Sequence, residues 1–233
     1  MTKAEVIEVL RENRDARGEA NWKKLGDRAG GLISYGIGLT KLRAIAKKIG
    51  RDHDLALKLW NEKSHDAKVV ALLIDDPKAL TREQVEKQVD GAAPGMLSHA
   101  LSSCDATLAK SPIAFEVAQD WMVSKDPVRR SCGYGLVYEL SKNIRDERLT
   151  DDFFLDCIDR IGKTIATEEN WVRVGMGGAL MGIGKRNKKL NAAAIKVATK
   201  IGPIYFSDGD KKCEPMDVLK HLTSDYLRNK LGT

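Results

Sequence analysis

Two segments of the chain, residues 128–136 and 172–180, share the pattern V-R-x-x-x-G-x-x-L at an offset of 44 residues. Each segment follows a polar break and spaces its apolar and small residues so that they fall on one face of a helix. An offset of about 40–47 residues is typical of repeats built from two helices, which bury their cores only by stacking on one another. The sequence therefore predicts stacked helix pairs.

Composition agrees with this prediction. Aromatic residues make up only 6% of the chain, and no run alternates apolar and polar residues over the length of a strand. We expect an all-α fold, a HEAT-like helical-repeat superhelix (α-solenoid) with a concave basic face, in one domain over residues 1–233. About a dozen helices are expected, including single helices near 96–110 and 214–230.

Several classes of protein are disfavoured. No segment reaches about 18 apolar residues, and the first 11 residues predict a charged amphipathic helix rather than a signal peptide. We therefore expect a cytoplasmic protein with no membrane partner, and a monomer because terminal repeats can cap the stack. The four cysteines form no C-x-x-C pair, so we expect reduced thiols, no metal and no cofactor; they are Cys104, Cys132, Cys157 and Cys213.

Charge points weakly to a polyanionic partner. The 39 Lys and Arg residues exceed the 33 Asp and Glu residues, which gives a formal net charge of +6. Basic residues gather in three places: residues 41–48, residues 129–130 and residues 185–189. On a solenoid these could form one stripe. The alternative is a set of solvated helix ends, because Lys and Arg favour helix C-termini.

Common enzyme motifs are missing. The sequence contains no P-loop, no H-E-x-x-H and no G-x-S-x-G. The glycine-rich residues 30–38 follow no predicted strand and are interpreted as a turn. Asp208-Gly209-Asp210 lacks the other acidic positions of an EF-hand loop. The isolated histidines are interpreted as caps or packed rings.

An ordered set of motifs adds a family resemblance. Residues 35–37 (Y-G-I), 42–47 (L-R-A-I-A-K), 55–60 (L-A-L-K-L-W) and 65–71 (H-D-A-K-V-V-A) follow one another along the chain. Their order and spacing resemble those of the DNA alkylation repair family of AlkD-like HEAT-repeat proteins, with Asp66 in place of the usual Glu. The Arg129-Arg130 helix and the segment from Asp208 to Pro215 also resemble that family.

The resemblance implies a cationic groove that grips the DNA backbone and excises alkylated purines. Such chemistry uses a carboxylate near the sugar, two tryptophans beside the lesion and an arginine on a phosphate. Asp105 falls on the carboxylate position and Arg130 on the arginine position, whereas Leu101 and Gly178 fall on the two tryptophan positions. The expected catalytic residue is Asp105, and the expected DNA-binding residues are Arg130, Arg129, Arg43, Arg173, Lys185, Arg186, Lys188 and Lys189.

Three functions follow. The first is a DNA-binding protein, for duplex or distorted DNA, with weak or lost base excision. The second is an active DNA glycosylase that removes alkylated purines using Asp105. The third is a HEAT scaffold that binds a protein partner, a common use of this architecture.

Overall fold

A computed structural model of the chain describes residues 1–92, 95–205 and 214–232. The Asp208-Gly209-Asp210 segment and Cys213 lie outside these ranges. Within them the regular structure is helical apart from two isolated β-bridges, Ile33 with Ser64 and Ile204 with Met216. The prediction of an all-α protein is confirmed.

The chain divides into two compact units, Met1–Ile113 and Ala114–Thr233. Each unit has its own buried hydrophobic residues. The expectation of one domain over residues 1–233 stays a prediction, as does the concave basic face.

The first unit is arranged around one buried helix. Its helices are α1 (Lys3–Glu12), α2 (Ala16–Lys23), α3 (Leu39–Ile49), α4 (His53–Trp60), α5 (His65–Ile74), α6 (Arg82–Asp90) and α7 (Met96–Ser102), with short 3-10 helices at Gly26–Ala29 and Thr107–Lys110. Helix α5 begins where the Ser64 hydroxyl accepts a hydrogen bond from the Ala67 amide at 3.3 Å. Because α5 is apolar on nearly all sides, it contacts α1, α3, α4 and α7.

The second unit contains the repeat predicted from the sequence. Its helices are α8 (Ala114–Met122), α9 (Pro127–Leu140), α10 (Asp151–Thr164), α11 (Asn170–Ile183), α12 (Lys188–Ile201), α13 (Val218–Leu222) and α14 (Asp225–Leu231), with a 3-10 helix at Ile165–Thr167. The two copies of the sequence pattern lie on α9 and α11, and each is the second helix of a pair. Helix α9 contacts both α8 and α11.

The glycine and the leucine of the pattern lie at closely packed positions in both copies. Leu136 and Leu180 are fully buried. A Cβ at Gly133 would lie 2.6 Å from the backbone nitrogen of Met122, and one at Gly177 would lie 2.6 Å from Ile204 Cδ1. The Gly133 contact is with backbone, for which close packing leaves no room, whereas at Gly177 the ends of the Ile204 and Met216 side chains would have to shift. The glycine and leucine positions of the pattern are therefore positions of buried, close contact between helices.

Two helix predictions were wrong in their extent. The helix expected over 96–110 ends at Ser102, because Cys104 and Asp105 adopt left-handed backbone conformations with φ of 60° and 69°. The helix expected over 214–230 is two short helices, since α13 ends at Leu222 and Ser224 starts α14.

Candidate nucleic-acid interface

The turn after α7 holds the predicted catalytic carboxylate. Cys104 and Asp105 are the only described non-glycine residues with positive φ. This conformation is uncommon for residues other than glycine, although Asp tolerates it better than most residues. The Asp105 side chain is 63% exposed, so the turn holds a carboxylate out from the surface of the first unit.

A cleft of about 390 Å³ opens beside this turn. Four cationic side chains line it, and Asp105 is the only acidic residue in its lining; the cations are Arg43, Lys47, Arg51 and Lys110. The apolar floor includes Ala46 and Leu73. A concave site with this excess of positive charge attracts anions such as phosphate groups.

Arg43 lies against the carboxylate inside this cleft. Its Nε is 3.0 Å from Asp105 Oδ2. Nevertheless, the Nε–H is not directed along a hydrogen bond, and this buried atom has no hydrogen-bond partner among the described residues. We therefore regard the contact as an ion pair that leaves a guanidinium donor unsatisfied. The structure brings together two residues that the sequence analysis predicted, Arg43 and Asp105.

The other cations of the cleft differ in whether they form hydrogen bonds within the protein. Arg51 Nη1 donates to the carbonyls of Leu73 and Asp75, both at 2.9 Å, so that guanidinium also holds the end of α5. Lys47 and Lys110 are exposed. Neither lysine forms a salt bridge within the part of the chain that the structure describes. They are the lining cations most available to a ligand.

Both positions that the resemblance assigns to tryptophan lack an aromatic side chain. Leu101 is fully buried on α7, so it packs in the core and presents no wall to a ligand. At Gly178 on α11, an added Cβ would meet no described atom within 4 Å. The space that a side chain would occupy there is open.

Arg130 is engaged within the second unit. Its Nε and Nη2 donate to the Glu168 carboxylate at 2.8–3.1 Å, and its Nη1 donates to the carbonyls of Ser124 and Lys125 at 3.0 and 2.9 Å. The hydrogen bonds to Glu168 raise the pKa of Arg130 above its ordinary value. This arginine joins the turn before α9 to the turn before α11. Its predicted contact with a DNA phosphate stays a prediction.

Arg129 and Arg173 occupy equivalent positions of the two repeat copies. Arg129 Nη1 donates to Asp126 at 2.9 Å, at the start of α9. Arg173 lies in the first turn of α11, and its buried Nε has no hydrogen-bond partner in the described ranges. Together with Arg130, these residues place three guanidinium groups at the N-terminal ends of α9 and α11.

The cluster at residues 185–189 lies at the opposite ends of the same helices. Arg186 Nη1 donates to the carbonyls of Ser141 and Asn143 at 2.6 and 2.9 Å, next to the C-terminus of α9. Burial lowers the pKa of this guanidinium. Lys185, Lys188 and Lys189 are exposed. Since a helix rises about 1.5 Å per residue, the 14 residues of α9 separate this cluster from Arg130 by roughly 20 Å.

Two of the motifs that carry the family resemblance contact one another. The buried carboxylate of Asp66 accepts hydrogen bonds from the backbone amides of Tyr35 at 2.8 Å and Ile37 at 3.1 Å. Gly36, between them, has a φ of 72°, and a Cβ there would lie 2.3 Å from the Glu19 nitrogen. The Y-G-I loop is therefore held in place by the H-D-A helix.

Sequence reasoning did not predict Arg51 or Lys110 as part of the site. Lys47 belongs to a basic cluster visible in the sequence, whereas Arg51 follows the Gly50 that ends α3 and Lys110 ends a 3-10 helix. No periodic or motif signal marks either residue. Lys110 reaches the cleft because the chain turns at Cys104 and Asp105, whereas Arg51 is placed there by its hydrogen bonds to the end of α5.

The described cysteines are thiols without a disulfide. Cys132 and Cys157 are buried, and Cys104 is partly exposed. Burial raises the pKa of Cys157 to about 12, so it stays protonated at neutral pH. Within the described ranges, no group of three or more potential ligands could hold a metal ion. Nor is any helix in those ranges both long and apolar enough to span a bilayer.

Known proteins share this architecture over nearly the whole chain. One solved structure, described as "a new family of proteins related to the HEAT-like repeat DNA glycosylases with affinity for branched DNA structures", superposes with a TM-score of 0.85. It is 24% identical in sequence, and the match covers 100% of this chain and 97% of the other. The HEAT-like repeat fold predicted from the 44-residue offset is therefore confirmed.

Sequence comparison gives the family. Two uncharacterized proteins, from Listeria monocytogenes and Listeria innocua, are each 24% identical over 201 and 203 residues, which cover 85% and 86% of this chain and 86% of each relative. Residues 6–205 match the family described as "DNA alkylation repair enzyme". This match spans both the Y-G-I and H-D-A motifs and the two repeat copies. The chain belongs to the DNA alkylation repair enzyme family.

Proposed function

We propose that this protein binds DNA through the cleft beside Asp105, with little or no base excision. The observation that carries the proposal is the set of four cations around one carboxylate. DNA carries a high density of negatively charged phosphate groups along its backbone. Contacts of these phosphates with Lys and Arg supply most of the nonspecific affinity of proteins for DNA. Lys47 and Lys110 would meet phosphates first, because both are exposed.

The same cleft provides a route for a phosphate to reach Arg43. The Arg43 side chain is 41% exposed, and its contact with Asp105 lacks hydrogen-bond geometry. A phosphate oxygen that approached this guanidinium would compete with the carboxylate for it, since carboxylate and phosphate both form charge-assisted contacts with arginine. The exposed part of the Arg43 side chain is where such an anion would bind.

The type of DNA is also a proposal. The solved structure of the same fold is described as belonging to proteins with affinity for branched DNA. We propose that this chain binds duplex or distorted DNA. We also propose that it is a monomer and that it is cytoplasmic. We propose DNA rather than the protein partner of the scaffold hypothesis, because four cations line the cleft beside Asp105.

Weak or lost excision follows from the missing aromatic residues. Leu101 is fully buried and Gly178 is open, so neither position offers a ring against the sugar of a damaged nucleotide. Misplacing reacting groups by about 1 Å can cost on the order of 100-fold in rate. Binding of the DNA backbone needs no such positioning and would survive this loss.

One observation favours the second candidate, an active glycosylase. The backbone at Cys104 and Asp105 is held in an uncommon conformation, and such conformations cluster at functional sites. An exposed carboxylate so positioned would stabilise the positive charge that develops on the sugar as an alkylated purine leaves. Asp105→Asn would then abolish base release and leave DNA binding intact.

The deciding experiment measures binding and product in the same samples. A fluorescent duplex that carries one alkylated purine is titrated with protein at several salt concentrations and then assayed for abasic sites. We expect affinity that falls steeply with salt, by about 0.9 in log–log slope for each phosphate neutralised, and little abasic product. Product that disappears in Asp105→Asn would establish the glycosylase. Absence of binding at low salt would exclude both DNA functions and favour the scaffold.

A further inference from the structure

The first unit has a second cleft, separate from the one beside Asp105. Its volume is about 420 Å³. An aromatic and aliphatic wall lines it; the residues of this wall are Trp22, Leu32, Ile33 and Tyr35. Ile33 is 56% exposed, so it adds aliphatic surface beside the two aromatic residues of the cleft. The cleft presents apolar surface that the fold itself does not cover.

The aromatic part of the wall is held in place from behind. Trp22 Nε1 donates to the Leu32 carbonyl at 2.9 Å, and the Trp22 ring packs on the His65 ring with centroids 4.6 Å apart. The Tyr35 amide is bound to Asp66. These contacts fix the Trp22 ring and the Tyr35 backbone before a ligand arrives, which lowers the entropy cost of binding.

The aliphatic part of the wall is equally fixed. The Ile33 amide donates to the Lys63 carbonyl at 3.0 Å, and the Ile33 carbonyl accepts from the His65 amide at 2.9 Å. The backbone is therefore pinned on both sides while the side chain faces outward. Its exposure does not arise from a loose loop, and substitution of the Ile33 side chain leaves these backbone hydrogen bonds in place.

Charge at the rim of this cleft favours an anionic ligand. Arg14 and Glu19 pair with one another through two contacts, at 2.7 and 3.2 Å, and so neutralise each other. Lys23 also lines the cleft, and it forms no salt bridge within the described residues. One available cation next to an apolar wall matches a ligand with one flat ring system and one negative group. A nucleotide has that composition.

We infer that the Trp22–Tyr35 cleft binds one unpaired nucleotide of a DNA strand. Its base would lie against the apolar wall and its phosphate on Lys23, the combination by which proteins hold single strands without reading sequence. A base stacked inside a duplex cannot enter, so the site selects DNA in which a nucleotide is already unpaired. This inference rests on the proposed DNA binding, which it deepens by naming the form of DNA.

The test compares two fluorescent probes by anisotropy. One is a blunt duplex, and the other is the same duplex with a gap of three thymidines in one strand. We expect the wild-type protein to bind the gapped probe about 10-fold more tightly. Lys23→Glu and Ile33→Glu should each bring this ratio close to one, and should change affinity for the blunt duplex by less than about threefold.

The chain provides a matched control. Lys24 is exposed like Lys23 and adjacent to it, but it does not line the cleft. Lys24→Glu makes the same change of charge and should keep the preference for the gapped probe. Thermal melting of each variant by circular dichroism verifies that it is folded, and the two test variants act through different side chains.

The outcomes separate this inference from the proposed function. Salt-sensitive binding of both probes with equal affinity would overturn the inference and retain the proposed function. A preference that survives both Lys23→Glu and Ile33→Glu, or that Lys24→Glu removes equally, would also overturn it. Absence of binding to either probe would overturn both the inference and the proposed function. A hydrophobic side chain of a protein partner would then be the alternative ligand of the cleft.

Discussion

Arg43 and Asp105 form an ion pair across the cleft of the first unit, with Arg43 Nε 3.0 Å from Asp105 Oδ2. One residue comes from α3 and the other from the left-handed turn after α7. Arg43 belongs to the basic cluster at residues 41–48. Asp105 is the carboxylate to which the family resemblance assigns the catalytic role. Although Arg43 Nε is buried and makes no hydrogen bond, the Arg43 side chain is 41% exposed and so remains accessible to an anion.

The left-handed turn at Asp105 gives a prediction about stability. A β-branched residue is strongly disfavoured at positive φ, whereas Asn and Gly tolerate it. We expect Asp105→Val to reduce the free energy of unfolding by about 1–2 kcal/mol relative to Asp105→Asn, and Asp105→Gly to match or exceed Asp105→Asn. Urea denaturation checks this order. Equal stability of the Val and Asn variants would show that the turn is not strained in solution.

The Arg130–Glu168 pair gives a second prediction. Both side chains are mostly buried, at 20% and 13% exposed, and they share several hydrogen bonds. Arg130→Gln and Glu168→Gln should each cost about 1–3 kcal/mol, because each leaves the partner charge without its main contact. The double variant should cost less than the sum of the two, with a coupling of about 1–2 kcal/mol. Additive losses would contradict the structural role of this pair.

The same two variants test the predicted phosphate contact of Arg130. If a phosphate reaches this guanidinium, Arg130→Gln weakens DNA binding and Glu168→Gln strengthens it, because Glu168 is the competing anion. Affinities are compared at a temperature at which both variants are folded. A fall in affinity of similar size in both would show that Arg130 acts on DNA only through the fold.

The Asp66 carboxylate gives a third prediction. It is fully buried and accepts two backbone amides from the Y-G-I loop. Asp66→Ala should cost about 2–4 kcal/mol, since hydrogen bonds to a charged group contribute more than neutral ones. Hydrogen exchange at the Tyr35 and Ile37 amides should become faster. Asp54→Ala, at an exposed carboxylate in the first turn of α4, is the control and should cost less than about 1 kcal/mol.

His65 gives a prediction about pH. Burial against Trp22 lowers its pKa below the ordinary value of 6.5, with Asp66 opposing the shift, and its Nε2 has no hydrogen-bond partner in the described ranges. The unfolded chain therefore takes up a proton at this residue before the folded protein does. The stability that the neutral ring provides is complete above about pH 6.5 and is lost as the pH falls below that value.

The measurement is urea denaturation at pH 7 and pH 5. Wild-type protein should lose more stability between these values than His65→Phe, which keeps a ring but cannot titrate. His221→Phe, at an exposed histidine on α13, should behave like wild type. An equal loss in all three proteins would show that the His65 ring titrates as it does in the unfolded chain.

Much of the fold could be predicted because the residues that recur in the repeat are the ones that pack closely between helices. Gly133 with Leu136, and Gly177 with Leu180, recur at fixed spacing because each pair occupies a close contact and a buried position in its own helix. The motif order near the N-terminus was also informative, since Asp66 binds the loop that contains Tyr35. Local sequence and tertiary contact agree at these positions, so a pattern is enough to identify them.

The candidate site could be predicted only in part. Asp105 and Arg43 were predicted as site residues and both line the cleft, but their roles stay a prediction. A continuous helix over 96–110 was expected, because neither Cys104 nor Asp105 signals a left-handed turn as glycine would. Without that turn, Lys110 is not expected beside Arg43, and the place of Arg51 depends on its hydrogen bonds to the Leu73 and Asp75 carbonyls. The hydrogen bonds of Arg130 and Arg186 were also hidden, since their partners lie 38 and 45 residues away. Such contacts have no periodic signature.

The most direct test of DNA binding by the cleft compares two adjacent lysines of α3. Lys47 lines the cleft and Lys48 does not, although both are exposed. Duplex affinity is measured across salt concentrations that include 150 mM, at which the Debye length of about 8 Å limits general charge effects. We predict that Lys47→Glu weakens binding about 10-fold and lowers the salt slope by about 0.9, whereas Lys48→Glu changes affinity by less than about twofold. Equal losses in the two variants would contradict binding through this cleft.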